Sequence, residues 1–245
     1  MTLLLLLGAA GFWAGMQNAL AGGGSFITFP ALLFAGLDPR AANITSTVAL
    51  FPGQIAMCWS GRRAASGVQG LTLRALSVIS LAGGTAGALL LLATPASFFA
   101  RLVPWLVLFA TLVFALGQPI RRRLPADAHL SPAILAAIQS AIAVYGGYFG
   151  GGIGFLMLAA LTLAGQTIRM AATTKNLLAT VMNAAAFVVF CISGDVHWPP
   201  ALAMAIGSVT GGFSGSWLLL RAPEKLLRGA IIVIGTALTL WLFLR

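Results

Sequence analysis

The chain has 245 residues, 60% of them hydrophobic and 7% charged, with a mean hydropathy of +1.00. A soluble domain carries roughly 25% charged residues to give its core a wettable skin, so this composition excludes a soluble globular protein. The net charge of +10 does not mark a nucleic-acid binder: the fourteen basic residues stand singly or in small groups between apolar stretches, as in positively charged cytoplasmic loops.

In chain order, the apolar segments of the first half are roughly 3–20, 26–36, 42–60, 72–93 and 101–118. The start, Met1–Gly8, resembles the core of a signal peptide, but it lacks the basic residues that precede such a core. The first break is Gly22, Gly23 and Gly24, followed by Ser25. Three glycines inside a membrane segment interrupt a helix, which lipid tolerates only where the backbone is buried in protein or lines a wet cavity. A helix beginning at Ser25 aims its free N–H groups and positive dipole end at that break. Close helix packing through small residues is the competing reading.

The second segment is short, since eleven to thirteen helical residues cover only about 16–20 Å, and the sequence leaves open whether it crosses or re-enters. Arg40 follows, as a helix-end residue or an anion guide. A polar run then opens the third segment with Asn43, Thr45, Ser46 and Thr47, able to satisfy backbone groups freed by the break; Gln54 lies deeper on the same segment. Gly83 and Gly87, at four-residue spacing, read as helix packing. Arg121, Arg122 and Arg123 form a basic cluster read as a loop between two halves.

The second half repeats the first. Its segments are roughly 132–149, 153–165, 172–193, 199–220 and 226–244. A shift of 129 residues places Ala21–Phe26 on Gly150–Phe155, so the first glycine cluster meets the run Gly150, Gly151, Gly152 and Gly154. It also puts Arg40 on Arg169, Ala42 on Ala171 and Thr45 on Thr174. Gly211 and Gly215 match Gly83 and Gly87 with one residue of slippage. The N-terminal stretch thus has a counterpart at 132–149 and is expected to belong to the fold. Repeats of this kind recur in secondary transporters.

Thr174, Lys175 and Asn176 form the polar run of the second half, with Asn183 deeper. An ammonium at membrane depth costs several kcal/mol unless paired; a substrate anion would serve as its counterion, and snorkelling to the interface is the alternative. The acids Asp38, Asp127, Asp195 and Glu224 fall in predicted loops, so a proton relay or sodium site built on intramembrane carboxylates has no residues to use. His129 and His197 also lie in loops. Cys58 and Cys191 read as small buried hydrophobes, with no metal site. No hydrolase, zinc-protease or P-loop signature is present, so the chain is expected to be no enzyme and to need no cofactor.

Charge counting tests the topology. With eight spans and parallel halves the Lys and Arg divide seven to seven; with ten they divide eleven to three, Arg40, Arg101 and Arg245 standing alone. The second is the asymmetry of a cytoplasmic face, and five crossings per half make the halves inverted. Ten is preferred, with eight as the alternative.

The motifs resemble the sulfite exporter TauE/SafE family of bacterial membrane permeases. They are Ala21–Phe26 through Pro30, Ala42-Asn43-Ile-Thr45, Gly150–Gly154, Thr174-Lys175 and Pro223–Arg228. The resemblance implies a plasma-membrane transporter of sulfur oxyanions or organosulfonates such as sulfite or sulfoacetate.

The reading is therefore an all-α polytopic membrane protein: an N-terminal repeat over 1–120, a basic inter-repeat loop over 121–131 and a C-terminal repeat over 132–245. It binds a small anion between inverted halves that rock around the site. The binding residues are Gly22, Gly23, Gly24, Ser25, Asn43, Thr45, Thr47, Gly151, Gly152, Gly154, Thr174, Lys175 and Asn176, with Gln54, Asn183, Arg40 and Arg169 secondary. It resides in the bacterial inner membrane with Arg121–Arg123 cytoplasmic, its partners are the anion and lipid, and a homo-oligomer is left open. A membrane scaffold or assembly factor is the competing function.

Overall fold

The computed structural model describes residues 1–20, 23–61, 65–68, 70–123, 131–218 and 224–244. Ten helices account for nearly all of them: α1 (Thr2–Leu20), α2 (Ser25–Phe34), α3 (Pro39–Gly61), α4 (Leu73–Ala93), α5 (Ala96–Arg123), α6 (Pro132–Tyr148), α7 (Ile153–Leu163), α8 (Ile168–Ser193), α9 (Trp198–Leu218) and α10 (Glu224–Leu244). Among the described residues Leu73–Ala93, Ala96–Val113 and Arg169–Ser193 are long and apolar enough to cross a membrane by length and composition. Apolar side chains such as Val78, Leu90, Phe98, Ile206, Phe213 and Val233 point outward. So continuous an apolar exterior suits lipid and would aggregate in water.

The helices start where the sequence supplies caps. Thr72 accepts from the Ala75 N–H, Ser131 from Ile134 and Thr167 from Met170, each relieving one of the orphan donors of a first turn. The Asp38 carboxylate accepts from the Arg40 and Ala41 N–H groups at 3.0 and 3.1 Å and starts α3. Helices α3 and α8 begin three to four residues earlier than the apolar pattern suggests, which makes their polar runs interior. Helix α5 extends through Arg121–Arg123, so the basic cluster expected in a loop is helical. Arginine is a good helix former, and a basic run can continue a helix that an apolar stretch began. The stretch 124–130, Arg62, Arg63, Gly22 and Arg245 lie outside the described residues.

Left-handed glycines mark the breaks in pairs. Gly23 (φ 86°) precedes α2 and Gly152 (φ 78°) precedes α7; Gly36 (φ 94°) and Gly165 (φ 96°) end the same two helices. Each pair is separated by the 129-residue offset, and each needs a backbone that L side chains avoid.

Packing between the halves is built on small residues. Helix α1 runs alongside α9 in the same direction, Gly11 on Met204, Gly15 on Ser208, Gly211 on Phe12 and Gly215 on Met16. Helix α4 runs alongside α6 in the same way, with Gly83 on Ala143 and Gly87 on Val144. Shifted by 129 residues α1 becomes α6 and α9 becomes α4, so one contact is made twice. This matches the expected packing role of the four-residue glycine pairs.

At the centre α3 and α8 run in opposite directions. The start of α3 lies beside the turn after α8, where Thr45 Oγ1 accepts from the His197 N–H at 3.2 Å. The start of α8 lies beside the stretch after α3, where Thr174 Oγ1 accepts from the Ser66 N–H at 3.1 Å. These contacts define two ends of the bundle. One, the Asp195 end, gathers the turns at 35–38, 94–95 and 194–197. The other, the Ser66 end, gathers those at 65–68, 70–72 and 164–167, with Gly70 against Pro132. The short helices turn the chain back: Gly24 lies against Ala14 and Asn18 of α1, and α2 returns to the Asp195 end. Helix α7 likewise returns to the Ser66 end, where Gln166 donates to the Ser66 carbonyl at 2.9 Å.

Candidate functional site

The two breaks open into one cavity. Its volume is about 690 Å³ including the open mouth, and its wall carries Gly23 and Ser25 of the first break and Gly150, Gly152 and Gly154 of the second. Thr47 and Gln54 of α3 face Lys175, Asn176, Thr180 and Asn183 of α8 across it. Asn183 Nδ2 donates to Gln54 Oε1 at 2.7 Å. These two residues are 129 positions apart, so the equivalent positions of the halves meet at this hydrogen bond.

The electrostatics are one-sided. Helices α2 and α7 begin at Ser25 and Ile153, both on the cavity wall, so both positive dipole ends face the cavity. The N–H groups of Phe26, Ile27 and Phe155, expected to be free, donate instead to the carbonyls of Gly23, Gly24 and Gly152. Lys175 adds an ammonium about two turns into α8. Among the described residues no carboxylate lines the cavity, and the sole ion pair, Arg40 with Asp195, is elsewhere. Nor does any cluster of His, Cys, Asp or Glu among those residues suit a metal. The described wall is therefore electropositive and polar, carrying hydroxyl, amide and ammonium groups.

The structure sorts the expected site residues into three groups. Gly23, Ser25, Thr47, Gly152, Gly154, Lys175, Asn176, Gln54 and Asn183 come together at the cavity. Gly24, Asn43, Thr45, Gly151 and Thr174 stand behind it as supports. The Gly24 N–H donates to Asn18 Oδ1 at 2.7 Å, and Asn43 Nδ2 donates to the Tyr148 carbonyl at the end of α6, 3.0 Å away. Gly151 and Asn43 border a smaller void beside Phe29 and Phe149. Arg40 and Arg169 lie at opposite ends of the bundle: Arg40 is bonded to Asp195 at 2.9 Å and Arg169 is exposed.

Sequence reasoning missed Asn18 and Thr180, and it left Gly150 out of the binding set although that residue opens the second glycine run. Asn18 carried a signal, an amide in an apolar helix one turn before a glycine break, where a side-chain acceptor is needed. Thr180 carried none, because a hydroxyl on a helix is satisfied by its own backbone, here the Asn176 carbonyl at 2.8 Å.

An aromatic pair stands between this cavity and the Asp195 end. Just beyond the Gln54–Asn183 pair, the rings of Phe51 and Phe187 meet at 4.7 Å between centroids. The 129-residue equivalents are Thr180 and Cys58, too small to meet across the same gap, and on that side the cavity wall runs to Met57 and Lys175.

Gly152→Ala is a direct test of the second break. A left-handed residue other than glycine costs roughly 1–2 kcal/mol, and the added Cβ would rest 3.4 Å from Ala110, in ordinary contact. The expected result is a lower melting temperature in detergent, whereas the same change at Gly229, inside α10 with nothing within 4 Å, leaves it unchanged or raises it slightly.

An apolar helical bundle that holds a polar cavity between two broken helices has the build of a membrane transporter. The chain belongs to the sulfite exporter TauE/SafE family, whose model matches residues 7–242. It is similar to a probable membrane transporter protein of Haemophilus influenzae, with 29% identity over 97% of this chain and 93% of that one. A Sinorhizobium relative, a probable membrane transporter protein ORF9, is 31% identical over 97% and 91% of the two chains. The probable membrane transporter protein YfcA of Escherichia coli K12 is 31% identical over 96% and 88%. No solved structure matches the chain.

Proposed function

We propose that the protein is a secondary transporter of small anions, sulfite or organosulfonates, across the bacterial inner membrane. The observation that carries the reading is the cavity itself. Two helix N-termini and one ammonium face it, with no carboxylate in its wall among the described residues, so an anion is the ligand that completes its charge. An isolated ammonium at such depth is costly, and the substrate supplies the counterion. The name of the family supports sulfite among small anions.

We infer further that the halves are inverted across the membrane with ten passages of the chain, the basic Ser66 end being cytoplasmic. The opposite directions of α3 and α8 and the return courses of α2 and α7 support this, as does the concentration of Lys and Arg at one end. Transport would expose the cavity to each face in turn. Cysteines placed at Arg40 and Arg169 should be labelled by an impermeant reagent from opposite faces; labelling of both from one face would rule the inversion out.

Flux into proteoliposomes tests the substrate class. Sulfite and methanesulfonate are expected to enter saturably and to compete, and lactate is expected to do neither. If no anion moves and none raises the melting temperature, the carrier reading fails and a scaffold takes its place.

A further inference from the structure

The geometry points to a charge-latched gate at the Asp195 end, formed by Arg40 with Asp195 outside and Phe51 with Phe187 inside, that holds the resting protein open toward the Ser66 end. The inference rests on the carrier reading.

Arg40 joins three elements at once. Its Nη2 donates to Asp195 Oδ2 at 2.9 Å, in the turn between α8 and α9. Its Nη1 donates to the carbonyls of Leu92 and Thr94, at 3.3 and 3.2 Å, where α4 ends. The guanidinium therefore ties the start of α3, the end of α4 and the α8–α9 turn, across 155 residues of sequence between the charged partners. Beneath it Phe29 and Phe149 meet edge to face at 5.9 Å and Phe99 and Tyr148 at 5.6 Å, and the Phe51–Phe187 pair lies deeper still, about one helical turn from the Gln54–Asn183 hydrogen bond.

The opposite end has the same plan without these parts. The equivalent of Arg40 is Arg169, which is exposed, and the equivalent of Asp195 is Ser66. Ser66 is tied by neutral hydrogen bonds, to Thr174 and Gln166. Thr180 and Cys58 stand where the aromatic pair would be. Two ends built on one plan would be evenly matched, and an ion pair with an aromatic plug at one of them tips the balance. The pair is partly exposed, its side chains at 23% and 34%, so its loss shifts a two-state equilibrium about fivefold rather than abolishing one state.

The test uses the full-length protein in oriented vesicles, with Cys58 and Cys191 replaced by alanine and Thr180→Cys as a reporter on the cavity wall. An impermeant maleimide should label this reporter from the Ser66 face. In Asp195→Asn, and independently in Arg40→Gln, labelling from that face should fall and labelling from the Asp195 face should rise, their ratio changing about fivefold. Asp195→Glu, which keeps the charge, should behave as the parent does. Unchanged ratios in both neutral variants overturn the latch, as does an equal change in Asp195→Glu. If the unsubstituted protein carries no anion while the reporter protein still labels from one face with the expected shifts, the carrier reading fails and the latch stands.

Discussion

Replacing Lys175 with methionine should raise the KM for anion flux about thirty- to hundred-fold while making the unliganded protein more stable. The two effects have opposite signs for one physical reason. In the empty cavity the ammonium is half-buried with no carboxylate in the described wall, so an apolar side chain of similar length removes an unfavourable burial. With an anion present the same group makes a charge-assisted hydrogen bond, worth about 2–3 kcal/mol when lost. Flux into proteoliposomes reads the first effect and thermal melting in detergent the second. Sulfite should raise the melting temperature of the parent protein and leave the variant where it is. A KM that does not move would show that Lys175 reaches for the interface and takes no part in binding.

Gly211→Ala should be the most damaging single methyl in the bundle. Its Cβ would run into the Phe12 carbonyl at the α1–α9 interface, where backbone faces backbone and no flexible side chain can yield. Gly87→Ala should behave alike at the α4–α6 interface, against the Val144 carbonyl. Overpacking of this kind costs about 1–3 kcal/mol and sometimes more, and the helices can relieve it only by separating along their whole contact. Lower yield of folded protein and a lower melting temperature are expected. Gly212→Ala, whose Cβ would meet Gly53 and Met57 at 3.4 Å and beyond, should be much milder one residue away.

Much of this fold was legible because lipid removes choices. A chain with so few charges must satisfy its backbone internally, so apolar stretches and their interruptions give the helices almost directly. The glycine breaks were legible for the same reason, since Gly23 and Gly152 adopt conformations that no other residue holds cheaply. Glycine spacing alone did not disclose that Gly15 meets Ser208 or that Gly83 meets Ala143, because partner choice is a property of two helices.

The candidate cavity was legible in outline for a related reason. Lys175, Asn176, Thr47 and Ser25 are polar where lipid forbids polarity, which draws attention to them. Thr45 and Thr174 drew the same attention, yet they bond to the turns that flank α3 and α8. A polar residue at membrane depth thus announces only that it has a partner; whether the partner is backbone or ligand depends on which way the helix is rotated. Arg121–Arg123 illustrates the converse, where charge ends the apolar stretch without ending the helix.

The exchange of partners between halves also has a consequence for how the protein is made. Helix α1 leaves the ribosome long before the surface it fits, the glycine-bearing face of α9, which is synthesised about two hundred residues later. Helix α3 also rests on α9, with Ser208 Oγ donating to the Ala49 carbonyl at 2.9 Å. The first half must therefore be held in the bilayer unfinished until the second arrives, a high-contact-order assembly that is slow and exposed to misassociation. A nascent chain that stops short of α9 strands its own beginning, so truncation near the C-terminus would be felt first at the N-terminus.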